Sequence, residues 1–229
     1  MRPIDLWRSE VRRAGWTALL TPPVATAVLV LVALLDSGTA TDEATARSLL
    51  AALEMAMPLA AGVGAASLVG RDPAVELQLT APTSYRSTLL RRLVVTLGWA
   101  ALLAVLVVGV LVMTGWWPPS RGIVSGQLIW LAPTLCLGGL GFLAAAAFRG
   151  PAAAGSLIAA VWIVQQVFPS AFQDQAWSRL LYLFATTRGA VSDEWTANRL
   201  TLVATALAFG VVGWLLLGRT ERLLRGEAE

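Results

Sequence analysis

The chain is poor in the side chains that perform chemistry at enzyme active sites. Its 229 residues contain no His and one Cys, and all 17 basic residues are Arg. Without His or Lys there is no imidazole base or ligand, no Schiff-base amine and no P-loop lysine. The single Cys136 lies in an apolar run, where cysteine behaves as a small buried residue. We therefore expect no catalytic centre, no metal site and no cofactor site on this chain.

One carboxylate, Glu54, lies inside an apolar run, about seven residues into a predicted membrane-spanning helix. At a rise of 1.5 Å per residue it is roughly 10 Å deep. An ionised group at such a depth is costly and usually has a partner or a function. Glu54 is therefore a candidate residue of a transport path, where it would attract a cationic group. The alternatives are pairing with Arg47 or with a polar group on another helix, or hydration near the surface.

Four further side chains are candidates for the same path. Gln165 and Gln166 lie deep in an apolar run. Consecutive helical residues point about 100° apart, so the two amides are not expected to face one neighbour. One can line a path while the other bonds across to a helix. Trp99 and Trp162 lie nearer mid-membrane than the usual interfacial position, where they either line an apolar route or fill a packing gap.

A short polar hinge, residues 71–86, separates two long apolar runs. Asp72 followed by Pro73 is typical of a helix start, since a side-chain cap precedes a proline whose missing N–H is tolerated in the first turn. Pro82 ends that helix, because the residue before a proline is driven out of the helical region. The pattern predicts a helix of about two turns at the membrane surface, suited to docking against another protein.

The chain as a whole is predicted to be an all-α integral membrane protein with a single transmembrane domain, 1–229. Hydrophobic residues make up 57% of it, more than in a soluble domain, and they form blocks long enough to cross a bilayer. Residues 1–15 are predicted to form an amphipathic interfacial helix, and 219–229 a short tail. The six predicted spans, together 16–218, are about 16–35, 48–70, 93–114, 126–148, 154–172 and 200–218.

The connections carry further expectations. Pro22 and Pro23 are predicted to form an elbow between the interfacial helix and the first span, and Gly115 begins a turn after the third. The polar segment 173–198, between spans five and six, contains an apolar run at 180–184 and is predicted to be an external helical segment, re-entrant or at the surface. Glycines in spans two and four are predicted to permit close helix approach; they are Gly62, Gly64, Gly138, Gly139 and Gly141.

The orientation follows from the distribution of Arg. With the N-terminus inside, 12 of the 17 Arg lie in inner segments. The positive-inside rule therefore predicts that both termini and the hinge are cytoplasmic. The net charge of +3 is then a consequence of topology, so we expect the lipid bilayer and not nucleic acid as a partner. The predicted location is the inner or plasma membrane of a bacterial cell, as a multi-pass protein.

The arrangement of six spans, an N-terminal amphipathic helix and a Glu-Leu-x-Leu-x-x-Pro hinge after the second span resembles the ABC-2 type membrane subunits of ABC exporters. Glu76, Leu77, Leu79 and Pro82 match the hinge pattern, with Gln78 in place of one Leu. The resemblance implies that the hinge is a cytoplasmic coupling helix that contacts an ATPase. The residues it assigns to that contact are Asp72, Pro73, Val75, Glu76, Leu77, Leu79 and Pro82.

The resemblance also implies the function: a permease subunit of an ATP-driven exporter for a hydrophobic or amphipathic substrate, such as a drug, a lipid, a secondary metabolite or a small peptide. The chain would not be an enzyme itself. ATP and Mg²⁺ would be bound by separate ABC ATPase subunits, and a second membrane subunit, identical or related, would complete the path. The alternative is a secondary transporter, a channel or a structural membrane partner that ATP does not drive.

Overall fold

The computed structural model describes residues 15–37, 42–68, 85–117, 122–148, 150–188 and 194–224, and these form helices and turns. The predicted interfacial helix and the predicted coupling helix lie outside the described residues. The helices are α1 (Gly15–Ser37), α2 (Asp42–Ala66), α3 (Tyr85–Met113), α4 (Ile123–Gly126), α5 (Leu128–Phe148), α6 (Pro151–Val167), α7 (Pro169–Gln173), α8 (Ala176–Arg179) and α9 (Trp195–Leu224).

By length and composition, four helices of the described part can cross a membrane: Ala44–Ala66, Arg86–Met113, Ile123–Phe148 and Trp195–Gly218. Two shorter apolar helical stretches are Leu19–Val28 and Pro151–Val167. An all-helical fold of the described residues, with four helices that are candidates for membrane spans, is thus confirmed. Six crossings and their orientation stay predictions.

Helix α5 forms the centre of the bundle. It packs chiefly against α2 and α9, and α6 covers a further side. Residues around its whole circumference are buried, among them Ile129, Pro133, Leu137 and Phe142. A helix that is apolar all round suits either a protein core or a lipid environment; in α5 the neighbouring helices α2, α6 and α9 provide the enclosure.

The closest helix contacts use glycine, as predicted. A Cβ on Gly141 of α5 would overlap the backbone oxygen of Gly62 on α2, and a Cβ on Gly139 would lie 2.8 Å from the backbone oxygen of Ala206 on α9. Backbone atoms cannot move aside as side chains do. These glycines therefore set the distance of both neighbouring helices from α5, and a packing role for them is confirmed.

We expect Gly141→Ala to lower the thermal midpoint of the purified protein in detergent by several degrees. Overpacking of this kind costs about 1–3 kcal/mol, which exceeds the gain of up to about 1 kcal/mol from the better helix propensity of Ala. Gly155→Ala is the matched control, since a Cβ on Gly155 meets nothing within 4 Å. An equal or higher midpoint for Gly141→Ala would show that α2 and α5 are less tightly apposed.

Several helix ends differ from the predicted ones. Helix α3 begins at Tyr85 rather than near 93, and α9 runs from Trp195 to Leu224 rather than over 200–218. The predicted bounds followed hydrophobicity, but Arg is a good helix former and continues a helix beyond its apolar part. The first residues of the predicted tail, 219–224, are thus helical.

The predicted elbow at Pro22 and Pro23 is wrong: both prolines lie inside α1. A proline cannot donate to the carbonyl four residues earlier, so Pro23 deprives Leu19 of its helical donor. The indole N–H of Trp99, on α3, donates to this carbonyl oxygen at 2.9 Å. A donor from a neighbouring helix thus replaces the bond that the proline removes, and the helix continues.

The two ends of the bundle differ in character. At one end the last residues of α2, the first turns of α3 and the far part of α9 meet in an apolar cluster that includes Leu68, Leu89 and Leu217. The guanidinium of Arg86 lies 5.0 Å from the ring centre of Trp214 at this end. The described residues on either side of segment 69–84, which contains the predicted coupling helix, therefore lie at the same end of the bundle.

Candidate functional site: a buried polar cluster and the loop it holds

The opposite end of the bundle carries a loop that turns back among the helices. Helix α6 stops at Phe168 (φ −118°, ψ 55°) because Pro169 follows, and the short helices α7 and α8 lead into turns at 180–188. We call residues 180–188 the re-entrant loop. Its apolar run is enclosed, since Tyr182, Leu183 and Phe184 are at most 1% exposed. The segment that is predicted to be external is thus partly buried, its described residues 173–188 form only short helices and turns, and residues 195–198 belong to α9.

Glu54 on α2 lies directly beneath this loop and is fully buried. One carboxylate oxygen accepts the backbone N–H of Thr186 at 3.0 Å. The other accepts the backbone N–H of Thr187 at 2.8 Å and its hydroxyl at 2.6 Å. The counter-charge is Arg199 on α9, whose Nη2 donates to Glu54. The carboxylate therefore joins two helices and the loop at one point.

Arg199 is as deeply buried as its partner, at 0% exposure. Its Nη1 donates to the backbone oxygen of Leu183 at 3.0 Å, and its Nη2 also donates to the hydroxyl of Thr186 at 2.7 Å. The guanidinium lies 5.5 Å from the ring centre of Trp195, within the range of a cation–π contact. The indole of Trp195 in turn donates to the hydroxyl of Thr186 at 2.9 Å. We call Glu54, Thr186, Thr187, Trp195 and Arg199 the polar cluster.

Side chains from two helices bind further backbone groups in and next to the loop. The amide oxygen of Gln165, on α6, accepts the N–H of Leu183 at 2.8 Å. The amide nitrogen of Asn198, on α9, lies 2.7–3.1 Å from the backbone oxygens of Arg179, Leu180 and Tyr182. Buried peptide groups outside regular structure need such partners. The position of the loop therefore depends on α2, α6 and α9 together.

The two glutamines do share one neighbour, contrary to the expectation. Gln165 binds the re-entrant loop at Leu183, and the amide oxygen of Gln166 accepts a hydrogen bond from Nη2 of Arg188 at 2.8 Å. Their 100° separation is accommodated because the loop curves around the end of α6. Gln165 is buried and Gln166 is partly exposed.

Each of the two candidate tryptophans donates to a backbone oxygen of a neighbouring helix, at a position a few residues before a proline of that helix. Trp99 does so at Leu19. Trp162 donates to the oxygen of Met55 at 2.9 Å, one residue beyond the carbonyl that Pro58 leaves without a helical donor. The ring of Trp162 also contacts that of Phe184 edge-to-face, with centroids 6.0 Å apart. Both rings thus have structural contacts, and their assignment to a path stays a prediction.

Sequence reasoning singles out Glu54 but not its partner. Of the alternatives given for Glu54, the structure shows pairing with a polar group on another helix. The partner is Arg199, which the predicted orientation counts among the outer basic residues. The sequence contains a signal for this partner. Trp195, Asn198 and Arg199 lie immediately before an apolar run, and a buried cation is the natural partner of a lone buried carboxylate. The predicted contact residues for an ATPase, 72–82, lie outside the described residues.

The chemistry of the polar cluster is that of binding rather than of reaction. A carboxylate with four donors and a guanidinium with fixed acceptors hold a backbone in place, and Nη1 and Nη2 of Arg199 and the indole of Trp195 donate to protein oxygens. Within the described ranges no three of His, Cys, Asp and Glu lie close enough to hold a metal ion. Comparison with protein-family models, with curated proteins and with solved structures gives no match.

Proposed function

We propose that the chain is the membrane subunit of an ATP-driven exporter of ABC-2 type, moving a hydrophobic or amphipathic substrate with energy from separate ATPase subunits. A second membrane subunit, identical or related, completes the path. The proposal rests on the resemblance at Glu76, Leu77, Leu79 and Pro82, and on the Arg distribution that favours a cytoplasmic hinge. Location in the cell membrane of a bacterium follows from the same pattern.

The observation that carries the proposal is that the end of α2 and the start of α3, which segment 69–84 joins in the sequence, pack together with the Leu217 region of α9. A helix held between them would receive force at one point and pass it to two long helices at once. The Arg-rich end of α9 lies on the same side, which supports a cytoplasmic position for all three.

The polar cluster, at the end of the bundle opposite the hinge, also supports the proposal. In this orientation the re-entrant loop closes the outer side of the bundle, opposite the hinge. The helix that leads into the hinge, α2, also carries Glu54. A displacement of α2 at the hinge therefore reaches the loop through a single helix.

The proposal is tested by purifying the tagged chain from its native membranes in mild detergent. We expect a soluble P-loop ATPase to co-purify in stoichiometric amount, and the complex reconstituted in vesicles to move a fluorescent amphipathic dye only with ATP and Mg²⁺. A chain that purifies alone and moves the dye down an ion gradient without ATP would favour a secondary transporter instead.

A further inference from the structure

We propose that a crevice between α1, α2 and α3 is a binding site for one acyl chain of a bilayer lipid. This lateral crevice lies between Thr26 and Val30 of α1, Leu49, Leu53 and Met57 of α2, and Val107 of α3. The space in it that protein atoms do not fill, including its open side, is about 220 Å³. The site is independent of the proposed function, because it requires only that the chain lies in a bilayer.

The floor of the lateral crevice is one residue wide. Leu49, Leu53 and Met57 are spaced four residues apart, so they lie one above another on the same face of α2. All three are at most 6% exposed. The eight residues from Leu49 to Met57 rise by about 12 Å along the helix. A site of this length and width fits an extended chain that runs parallel to the helix, rather than a compact or ring-shaped molecule.

The walls of the lateral crevice are partly exposed and leave it open at the side. Val30 on α1 and Val107 on α3 are partly exposed, and their neighbours Leu31 and Leu106 are more than half exposed. Helix α1 packs mainly against α2 and only lightly against α3, which leaves the gap above α2. Since α2 and α3 are long and apolar enough to cross a membrane, the gap opens to hydrocarbon in a bilayer.

The chemistry of the lateral crevice suits an occupant without polar atoms. Among the described residues that line it, Thr26 is the one with a hydroxyl group. This hydroxyl donates to the backbone oxygen of Pro22 at 2.8 Å and lies 3.8 Å from the sulfur of Met57. An apolar chain therefore takes no hydrogen-bond partner away from it. The thioether of Met57 is flexible and polarisable, so it adapts to chains that differ in shape.

Dispersion contacts, rather than the hydrophobic effect, favour the bound chain. Lipid tails are as apolar as the walls, so moving a chain from the bilayer into the crevice removes no apolar surface from water. A chain in the crevice touches three helices, whereas a chain on the convex exposed face of α9 touches one. Individual contacts between apolar atoms are weak, but their energies add. We therefore expect the crevice to hold a chain longer than the α9 face does.

The test locates the contacts of a lipid chain by photolabelling. The purified chain is reconstituted without any ATPase in phosphatidylcholine vesicles that contain a trace of the same lipid with a diazirine in one acyl chain. After irradiation and digestion, mass spectrometry identifies the labelled residues. We expect labelling at Leu53, Met57 and Val107 to exceed that at the exposed α9 residues Leu207 and Val211 by about tenfold, the factor for roughly ten additional dispersion contacts.

Ala52→Phe is the decisive variant, because Ala52 also lines the crevice and a phenyl ring there occupies the space of the chain. It should lower labelling of the crevice about tenfold and leave labelling of α9 unchanged. Val107→Phe fills the crevice from the α3 side and serves if Ala52→Phe fails to fold. Ala208→Phe is the matched control, since it makes the same substitution at an exposed position of α9 and should leave labelling of the crevice at the wild-type level.

Two results would overturn the site: labelling of the crevice no stronger than that of the α9 face, or enrichment that survives both Phe variants. A further arm adds an excess of the amphipathic dye used for transport. Enrichment that persists beside the dye supports a lipid chain, and enrichment that the dye removes would assign the crevice to the substrate instead. Because these vesicles contain no ATPase, failure of the exporter proposal would change none of these results.

Discussion

Arg199→Met is expected to destabilise the protein more than any other single substitution in the polar cluster, with a loss of about 3–5 kcal/mol. The substitution leaves the Glu54 carboxylate fully buried without its counter-charge, and it removes donors to Leu183 and Thr186. Unfolding in detergent micelles, followed by the loss of helical circular dichroism, measures the change. Arg188→Met is the matched control: this Arg is exposed and binds only the side chain of Gln166 among the described contacts of its guanidinium, so a change below about 0.5 kcal/mol is expected.

The double variant Glu54→Gln with Arg199→Met separates the pair from its surroundings. Removing both charges takes away the uncompensated carboxylate, so the double variant should be more stable than the sum of the single losses predicts, by about 1–3 kcal/mol. Simple additivity of the two substitutions would mean that Glu54 and Arg199 do not interact, and would contradict the buried pair.

The second large effect is expected at the hinge. Leu77→Asp with Leu79→Asp should abolish ATP-driven transport while the chain still inserts into the membrane. Apolar anchors in a docking surface contribute about 2 kcal/mol or more each to association, so the loss of two should weaken ATPase binding by at least about 500-fold. Co-purification of the ATPase and dye transport in reconstituted vesicles provide the two measurements.

The control for this variant adds equal charge to the same predicted helix. Gln78→Asp with Thr80→Asp introduces two carboxylates at the neighbouring polar positions and should retain most of the ATPase binding. Equal binding and transport for wild type and the Leu77/Leu79 double variant would remove the coupling role from these residues.

The sequence could predict the helical class and the packing role of Gly141, because both follow from local composition and side-chain size. It could also identify Glu54 as exceptional, since its depth in an apolar run follows from the sequence alone and makes a charge there costly. It could not supply Arg199, which is 145 residues away and meets Glu54 only through the packing of α2 and α9 on the re-entrant loop. The predicted elbow at Pro22 and Pro23 was wrong for the same reason. The donor that replaces the missing hydrogen bond of α1 is Trp99, which belongs to another helix.

The bond from Trp99 to Leu19 has a consequence for biogenesis. If α1 crosses the bilayer as predicted, the carbonyl of Leu19 lacks its intrahelical donor on insertion, and the residue that supplies one is synthesised eighty positions later. Unpaired peptide groups are costly in hydrocarbon. We therefore expect the first helix to remain near the translocon or the headgroups, and to take up its final depth only when the third arrives.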